Sequence, residues 1–328
     1  MTKILIIRLS SIGDIVLTTP VLRSLKRRKS YDYEVHYVVK EVYESVLSAN
    51  PYIDKLWTYK DNVRECLPSL VKEKFDYVID LHNNLRSLKI KQRIKAPNAT
   101  VDKLNLQKWV LVNTGVNLMA ERHIVDRYMD CLDHFNIEND HKGLDHYIDI
   151  KDHVDLSKIS MDLKENDFIA WCIGATYKGK RFSKEKNVSV LKQIREKVVL
   201  IGGPTDMADA DYIKANLGSN VYNTVGRYSL NQSANIVKQA RLVVTPDTGM
   251  MHIAAAYKKD IIALWGCTTP NLGMGPYEAG LKSVNLEPEN LRKRPCSKLG
   301  NRCKYKGGCI NRILDEDVLH HINWIYNS

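Results

Sequence analysis

The sequence predicts an α/β protein made of two doubly wound domains, each with a parallel sheet covered by helices on both faces. Three observations lead to this prediction. Short apolar runs alternate with helical stretches along the chain. The length of 328 residues exceeds one ordinary domain and suits two domains of about 150 residues each. Residues 139–166 are charged and weakly periodic, as expected of a connection between domains.

The apolar runs predict the strands. In the first half of the chain they are KILIIR, YEVHYVV, KLWTY and FDYVIDLH, and in the second half FIAWCIGA, KVVLIGG, VYNTVG, ARLVVTPD and DIIALWG. Apolar runs that alternate with amphipathic helices are typical of parallel strands buried on both faces. In open sheets of this kind, ligands bind outside the carboxyl ends of the strands. The loops that follow the strands are therefore where a functional site is expected.

Composition and charge narrow the classes of function. A hydrophobic fraction of 44% is enough for two cores, and no apolar run reaches the roughly 18–20 residues that a membrane-spanning helix needs. The N-terminus lacks a signal-peptide pattern and the seven cysteines are scattered, so we expect a cytoplasmic protein with reduced thiols. The net charge of +11 favours anionic partners, but no nucleic-acid-binding module accompanies it, so nucleic acid is not expected.

Two basic clusters have two open interpretations. The first contains Lys26, Arg27 and Arg28, and the second spans residues 291–295. Each is either a solvated surface or a contact with an anionic membrane or substrate.

The first predicted strand leads into a loop of two serines, a glycine and an aspartate at residues 10–14. Asp14 lies at or near the start of a helix, where the helix dipole favours an ionised carboxylate that is able to accept a proton. A role in helix capping is the alternative, because Ser and Asp are common at helix starts. Pro20 lies inside the helical pattern that follows and predicts a kink or a restart there.

Two loops of the second half combine glycine with polar residues. After FIAW, a basic loop carries Lys178, Lys180 and Arg181, which are able to hold phosphate oxygens although no Walker A motif is present. A solvated basic loop is the alternative. After KVVLIGG, Thr205 or Asp206 is placed to meet a ribose. No G-x-G-x-x-G follows a strand, which disfavours a dinucleotide redox cofactor.

The segment LVVTPDTGMMHIAAA is the most informative in the chain. A buried strand is followed by Asp247, Thr248 and Gly249, then by His252 one turn into a helix. Backbone N–H groups at such a helix start bind anions, and the side chains of Thr248 and His252 can add donors. The alternative is a helix cap with a histidine in the core.

The C-terminal region carries Cys296, Cys303 and Cys309 in a basic loop. They are either free thiols or zinc ligands, with His320 or His321 as the fourth ligand, although the close C-x₂₋₄-C pair of most structural zinc sites is missing. The other cysteines are expected in the hydrophobic cores: Cys66, Cys131, Cys172 and Cys267.

Three segments carry a family resemblance: RLSSIGDIVLTTPVLRSLK, PDTGMMHIAAA and ALWGCTTPNLGMGPY. Together they resemble glycosyltransferase family 9, the heptosyltransferases of lipopolysaccharide core assembly, and the similarity extends to about residue 310. The resemblance implies the GT-B architecture, with two Rossmann-like domains facing each other across a cleft and a C-terminal helix that returns to the first. We accordingly expect an acceptor-side domain at 1–155, a nucleotide-sugar-binding domain at 156–312 and that helix at 313–328.

The resemblance also implies roles for the loop residues. Asp14 is expected to be the general base that helps an acceptor hydroxyl attack the anomeric carbon, with inversion of configuration. Lys180 is expected to stabilise the departing diphosphate, with Lys178 taking its place if the loop aligns differently. The remaining donor-binding residues are expected to be Asp247, Thr248, Gly249, His252, Thr205 and Asp206, and the acceptor-side residues Ser10, Ser11 and Gly13.

The implied reaction is the transfer of heptose from ADP-heptose to a lipopolysaccharide inner core in a Gram-negative cell. The acceptor is an anionic glycolipid, so peripheral contact with the inner face of the cytoplasmic membrane is expected. The transfer reaction is expected to be metal-independent and to use no other cofactor. Two departures from the family pattern leave other donors or acceptors open: Met250-Met251 in place of Leu-Ser, and YKGKRFS without its usual aromatic–proline pair. A different nucleotide sugar or acceptor, or a nucleotide-sugar-binding protein without turnover, are the alternatives.

Overall fold

The computed structural model describes residues 2–28, 32–119 and 121–327. The chain divides into two compact units. The first contains Met1–Lys103 and Arg122–Tyr147, and the second contains Leu104–Glu121 and Ile148–Ser328.

The strands include all nine that the apolar runs predict, together with two strands of three residues that were not predicted. In chain order they are β1 (Thr2–Ile7), β2 (Tyr33–Lys40), β3 (Lys55–Tyr59), β4 (Tyr77–Asp80), β5 (Asn98–Thr100), β6 (Phe168–Cys172), β7 (Lys197–Ile201), β8 (Val221–Asn223), β9 (Leu242–Pro246), β10 (Asp260–Leu264) and β11 (Val284–Leu286). The unpredicted β5 and β11, Asn-Ala-Thr and Val-Asn-Leu, contain no run of apolar residues, and none of their residues is buried.

Helices connect these strands. They are α1 (Ile12–Val16), α2 (Thr19–Arg27), α3 (Leu67–Lys72), α4 (Leu85–Ile94), α5 (Asn105–Thr114), α6 (Ile124–Met129), α7 (Lys184–Leu191), α8 (Met207–Ala215), α9 (Leu230–Gln239), α10 (Gly249–Ala256) and α11 (Asp315–Asn327). Short 3₁₀ turns lie at Glu41–Val46, Val63–Glu65, Asp130–Phe135, Ile150–Asp152, Leu156–Lys158, Lys178–Lys180, Pro204–Asp206, Pro270–Leu272 and Cys309–Arg312.

Pro20 restarts the first helix, as predicted. The helix α1 ends at Val16, and α2 begins at Thr19 with Pro20 in its first turn. A proline there costs no hydrogen bond, because the first N–H groups of a helix have no partner within the helix.

The sheet of the first unit has the strand order β3-β2-β1-β4-β5, and the pairings are parallel. Ile7, the last residue of β1, lies opposite Val38 of β2 and Asp80 of β4. Residues Ile4 to Ile7 are fully buried, which confirms a central strand covered on both faces. The strand order reverses between β1 and β4, the place where doubly wound sheets bind ligands.

The sheet of the second unit has the order β11-β10-β9-β6-β7-β8, again with parallel pairings. Its order reverses between β6 and β9. The loops after these two strands therefore lie at the switch point of the second sheet, the place where doubly wound sheets bind ligands. The predicted pair of doubly wound α/β domains is confirmed.

The C-terminal helix corrects one expectation of the sequence analysis. We expected residues 313–328 to pack on the first domain, but α11 belongs to the second unit. Val318, Ile322 and Ile325 recur on one face of α11 and are buried in the core of that unit. An ion pair between Lys186 and Asp315 joins the start of α11 to α7. The apolar face of α11 therefore packs against residues of the second unit.

The expected domain boundary also differs from the observed one. Leu104–Glu121, which contains α5, belongs to the second unit although it lies inside the predicted first domain. Leu111 and Met119 of this segment pack with Leu272, so burial of apolar side chains holds the segment there. Among the described residues, no helix combines the length and the hydrophobicity needed to cross a membrane.

Candidate functional site

The loop after β1 places an ion pair at the switch point of the first unit. Nη2 of Arg8 lies 2.6 Å from Oδ1 of Asp14, and the side chains are 6% and 23% exposed. The carboxylate therefore remains partly accessible while its cationic partner is buried. Sequence reasoning identified Asp14 but missed Arg8, which follows the buried strand by one residue.

Arg8 is held from several directions. It donates through Nε to the Ser10 carbonyl (2.8 Å), and through Nη1 to the Leu81 carbonyl (2.6 Å) and the Tyr128 hydroxyl (2.9 Å). Because Leu81 directly follows β4, this guanidinium ties together the ends of the two strands between which the order reverses. Asp14 is therefore held by a cation that cannot move without breaking these bonds.

Asp14 also takes the capping role that the sequence left open. Its Oδ2 accepts from the Ser11 hydroxyl at 2.9 Å and from the Ser11 backbone N–H at 3.3 Å. Ser11 is exposed and Ser10 half-buried, while Gly13 is buried within α1. Asp14 caps the helix through Oδ2 and pairs with Arg8 through Oδ1. Its role as a helix cap is therefore compatible with its role as an ionised carboxylate.

These contacts set the protonation state of Asp14. Burial by itself raises the pKa of this carboxyl, but the Arg8 charge and the hydrogen bonds from Ser11 outweigh it and bring the pKa to about 2. Asp14 is thus ionised at every physiological pH.

A histidine that the sequence analysis did not single out lies next to this pair. His82 follows Leu81, is 5% exposed, and neither ring nitrogen has a hydrogen-bond partner among the described residues. Burial, then the charges of Arg8, Lys103 and Arg86, lower its pKa to about 3. The ring is therefore neutral. No sequence signal distinguished this histidine from a core residue.

The second unit carries the corresponding pair at its own switch point. Nζ of Lys180, in the loop after β6, lies 2.7 Å from Oδ2 of Asp247, which directly follows β9. The side chains are 18% and 12% exposed. The structure thus brings together two residues that the sequence placed in separate loops, and Lys180 rather than Lys178 makes this contact.

Asp247 has a second partner that sequence reasoning missed. The hydroxyl of Thr268, four residues after β10, donates to Oδ2 of Asp247 at 2.8 Å. Arg294 stabilises the loop that carries Thr268, because its guanidinium donates to the carbonyls of Thr268 (2.8 Å) and Gly266 (2.8 Å). Arg294 belongs to the basic cluster at 291–295, so part of that cluster supports the loop instead of forming a solvated surface.

The start of α10 follows Asp247. Thr248 is the N-cap residue in an extended conformation, and its side chain does not cap the helix. Gly249 is the first helical residue, and His252 is buried one turn later. The helix start therefore keeps backbone donors without a side-chain cap beside the Lys180–Asp247 pair, an arrangement that suits an anion.

Asp206 is engaged within the protein. Its Oδ1 lies 2.6 Å from Nη1 of Arg181, and its Oδ2 accepts from the Gly203 N–H at 3.0 Å. Thr205 is exposed beside it. Arg181 and Lys178 also line a cavity of 340 Å³.

The first basic cluster is partly engaged as well. Lys26 pairs with Asp54 at 2.8 Å, and Arg28 donates to the Asn136 carbonyl at 3.0 Å, whereas Arg27 is exposed.

The cysteines of the C-terminal region form a cluster with a different fourth member from the one considered. Cys296, Cys303 and Cys309 gather around Cys267, and their sulfur atoms all lie within 4.8 Å of one another. His320 and His321 belong to α11 and are not part of this group. Cys267 was expected to be an ordinary core residue. It is buried, as expected, but its thiol faces the other three.

Comparisons with known proteins show which family this chain resembles. Residues 63–304 match the family model described as glycosyltransferase family 9 (heptosyltransferase). Lipopolysaccharide heptosyltransferase 1 of Campylobacter coli is 24% identical over 358 residues, covering 99% of this chain and 99% of the relative.

Solved structures show the same fold. A family 9 glycosyltransferase of Veillonella parvula aligns with a TM-score of 0.79 and 23% identity, covering 100% of this chain and 98% of the other. The ADP-heptose lipopolysaccharide heptosyltransferase II of Escherichia coli aligns with a TM-score of 0.73 and 20% identity, covering 99% and 98%.

Proposed function

The chain belongs to glycosyltransferase family 9 and is a glycosyltransferase, and on this premise we propose that it transfers heptose from ADP-heptose to the inner core of lipopolysaccharide. Its relative from Campylobacter coli and a structural neighbour from Escherichia coli carry lipopolysaccharide heptosyltransferase names, and the latter's name includes ADP-heptose. The observation that carries the proposal is the Lys180–Asp247 pair at the switch point of the second sheet.

The second unit holds the donor in this proposal. The ammonium of Lys180 has three donors, so it can keep Asp247 and still donate to a phosphate oxygen. The uncapped start of α10, with Thr248, Gly249 and His252, adds backbone N–H groups and the positive end of the helix dipole. Asp247 accepts from hydroxyls of the donor sugar. The positive charge of Lys180 and of the α10 start thus stabilises the negative charge that develops on the departing diphosphate.

Asp14 is the general base for the acceptor hydroxyl. A carboxylate with a pKa of about 2 is ionised at physiological pH but is a weak base. Proton transfer therefore follows the onset of bond formation to the anomeric carbon, which makes the hydroxyl acidic. The hydroxyl oxygen attacks from the face opposite the diphosphate, the bond to the diphosphate breaks, and the configuration inverts.

Two further features belong to the proposal. The transfer step uses no metal, because Lys180 and the α10 start supply the positive charge. The acceptor is an anionic glycolipid at the inner face of the cytoplasmic membrane, which a protein of net charge +11 is suited to approach.

A nucleotide screen tests the donor site. Thermal unfolding is measured with ADP, UDP, GDP, CMP and ADP-heptose, on the wild type, on Lys180→Ala and on Lys178→Ala as the matched control. A ligand at 100 times its Kd stabilises the folded protein by about 2.7 kcal/mol. We expect a selective response to ADP and ADP-heptose that Lys180→Ala weakens and Lys178→Ala keeps. A response to another nucleotide alone contradicts the donor, and no response at all contradicts the donor site.

Transfer assays then test the base. Asp14→Asn should retain the ADP response and lose about 10²- to 10⁴-fold in kcat, the usual contribution of general base catalysis. Transfer at the wild-type rate by this variant contradicts the role of Asp14.

A further inference from the structure

Four thiols meet in the second unit. The Sγ atoms of Cys267 and Cys309 are 3.5 Å apart, those of Cys296 and Cys309 are 3.8 Å apart, and the Sγ atoms of all four cysteines, Cys303 included, lie within 4.8 Å of one another. Cys267, Cys296 and Cys309 are buried, whereas Cys303 is exposed. The cluster joins a loop after β10 to a segment some 30 to 40 residues later.

These separations fit a tetrahedral ion better than they fit disulfides. Sulfur atoms at the corners of a zinc tetrahedron are about 3.8 Å apart, because Zn–S bonds are about 2.3 Å long. A disulfide requires about 2.05 Å. Four thiol sulfurs that all lie within 4.8 Å of one another supply the tetrathiolate ligand set that zinc and iron sites use.

The backbone supports this arrangement. The N–H groups of Tyr305 and Cys309 donate to Sγ of Cys303 at 3.5 and 3.3 Å, and the Cys296 N–H donates to the Cys267 carbonyl at 2.8 Å. The Arg294 guanidinium binds the carbonyls on either side of Cys267. N–H···S bonds and a nearby cation stabilise thiolates, as the surroundings of metal sites commonly do.

We propose that Cys267, Cys296, Cys303 and Cys309 bind one zinc or iron ion as a structural tetrathiolate site. Protein sulfurs fill all four positions, and a site closed in this way has no open position for catalysis. Exposed Cys303 also lines the 340 Å³ cavity and provides the entry route for the ion.

The site has a consequence for the donor-binding residues. The Cys267 N–H donates to the Gly179 carbonyl at 3.0 Å, next to Lys180, and Thr268, the residue after Cys267, holds Asp247. The ion therefore positions both members of the Lys180–Asp247 pair. This positioning role rests on the proposed function, whereas metal binding does not.

Metal analysis of the full chain is the first test. The chain is purified under reducing conditions, reconstituted with Zn²⁺ or Fe²⁺, freed of excess ion and analysed by mass spectrometry for metals. After reconstitution we expect about one equivalent of either ion per chain. Metal analysis of the chain before reconstitution shows whether the ion that it carries is zinc or iron. Absence of a stoichiometric ion in every preparation overturns the proposal.

Variants and a spectroscopic probe locate the ion. Cys303→Ser should bind the metal at least tenfold more weakly, while Cys66→Ser, which removes a buried thiol in the first unit, should keep it. Equal loss in both variants overturns the assignment. If Cys303→Ser does not fold, Co²⁺ added to the wild type decides, because four thiolates give intense sulfur-to-cobalt absorption and a tetrahedral spectrum.

The positioning role has its own readout. Removal of the ion should weaken ADP binding at least tenfold, and re-addition should restore it. If the ion binds but ADP binds neither form, metal binding stands and the proposed function fails. If ADP binds both forms equally, the positioning role is wrong.

Discussion

The guanidinium of Arg8 lies 2.6 Å from the carboxylate of Asp14 at the carboxyl end of β1. The second unit has an ion pair at the same topological place, where Lys180 meets Asp247 at 2.7 Å. In each sheet the pair lies where the strand order reverses, so that loops from neighbouring strands diverge and leave room for a ligand. The pairs keep four charged groups in place at these two openings before any substrate binds.

Loss of the Arg8 charge should change the pH dependence of transfer. Asp14 has its pKa lowered to about 2, so kcat/KM of the wild type should show no acidic limb from this group between pH 5 and 8. In Arg8→Gln, burial still raises the pKa of Asp14 but the Arg8 charge no longer lowers it, so this pKa rises and the acidic limb of kcat/KM moves to higher pH. Arg8→Lys, which keeps a charge, should shift the limb less. Identical profiles for Arg8→Gln and the wild type contradict this prediction.

The Asp14–Arg8 pair should also contribute to stability with a defined pH window. A folded-state pKa that is lowered from 3.8 to about 2 stabilises the protein above pH 4, and that contribution is lost as the pH falls toward 2. Replacing Arg8 also removes the donor to the buried Leu81 carbonyl and the partner of Asp14, so Arg8→Gln should lower the free energy of unfolding at pH 7 by about 3 kcal/mol. Urea unfolding at pH 7 measures this, and a loss below 1 kcal/mol contradicts the structural role.

His82 should make the protein sensitive to mild acid. Its folded-state pKa of about 3 lies below the ordinary value of 6.5, so the unfolded chain binds a proton that the folded protein does not. The free energy of unfolding should therefore fall by up to about 1.4 kcal/mol per pH unit between pH 6 and 3 on account of this group. His82→Gln should flatten that dependence, and chemical unfolding at pH 7, 6 and 5 checks it. An unchanged slope in the variant would show that the ring does not remain neutral.

Thr268 should affect donor binding through Asp247. Thr268→Val keeps the shape but removes the hydroxyl that donates to Asp247, and loss of a hydrogen bond to a charged group costs about 1.5 kcal/mol or more. We expect ADP-heptose affinity to fall about tenfold, with Thr268→Ser close to the wild type. Calorimetric titration of the three proteins measures this, and equal affinities would indicate that Asp247 is oriented by Lys180 alone.

Replacing Arg294 by lysine should destabilise the protein. Its guanidinium reaches the carbonyls of Gly266 and Thr268 at the same time, and a single ammonium cannot reproduce that fork. Arg294→Lys should lower the free energy of unfolding by about 2 kcal/mol, because a part-buried carbonyl loses its donor. The neighbouring Arg292 is exposed, so Arg292→Lys is the matched control and should change nothing measurable. Equal effects of the two variants contradict the prediction.

Much of the fold was predictable from the sequence because its signals are local. Nine apolar runs became nine strands, Pro20 marked the restart of a helix, and the polar loops after β1, β6 and β9 contain Asp14, Lys180 and Asp247. The edge strands β5 and β11 were not predicted, because neither contains a run of apolar residues and neither has a buried residue.

Errors arose where a residue's role depends on a distant partner. The apolar face of α11 was evident, but the surface that covers it was not, and it packs on the second unit. Cys267 resembled any buried cysteine because the other three thiols lie 29 or more residues further along the chain. Arg8 and Arg294 were missed because an arginine next to a strand or in a basic cluster gives no local sign of the carbonyls it binds.

The sequence by itself determined the strands, the helices and the loops that carry charge, because periodicity and backbone preference act over a few residues. Only the tertiary structure decided which charges meet. The Lys180–Asp247 pair requires the parallel sheet, which brings the carboxyl ends of the neighbouring strands β6 and β9 to one edge, whereas Arg8 is fixed beside Asp14 by the Leu81 carbonyl at the end of β4. The four-thiol cluster also depends on the fold, because Cys267 lies 29 or more residues before the other three cysteines.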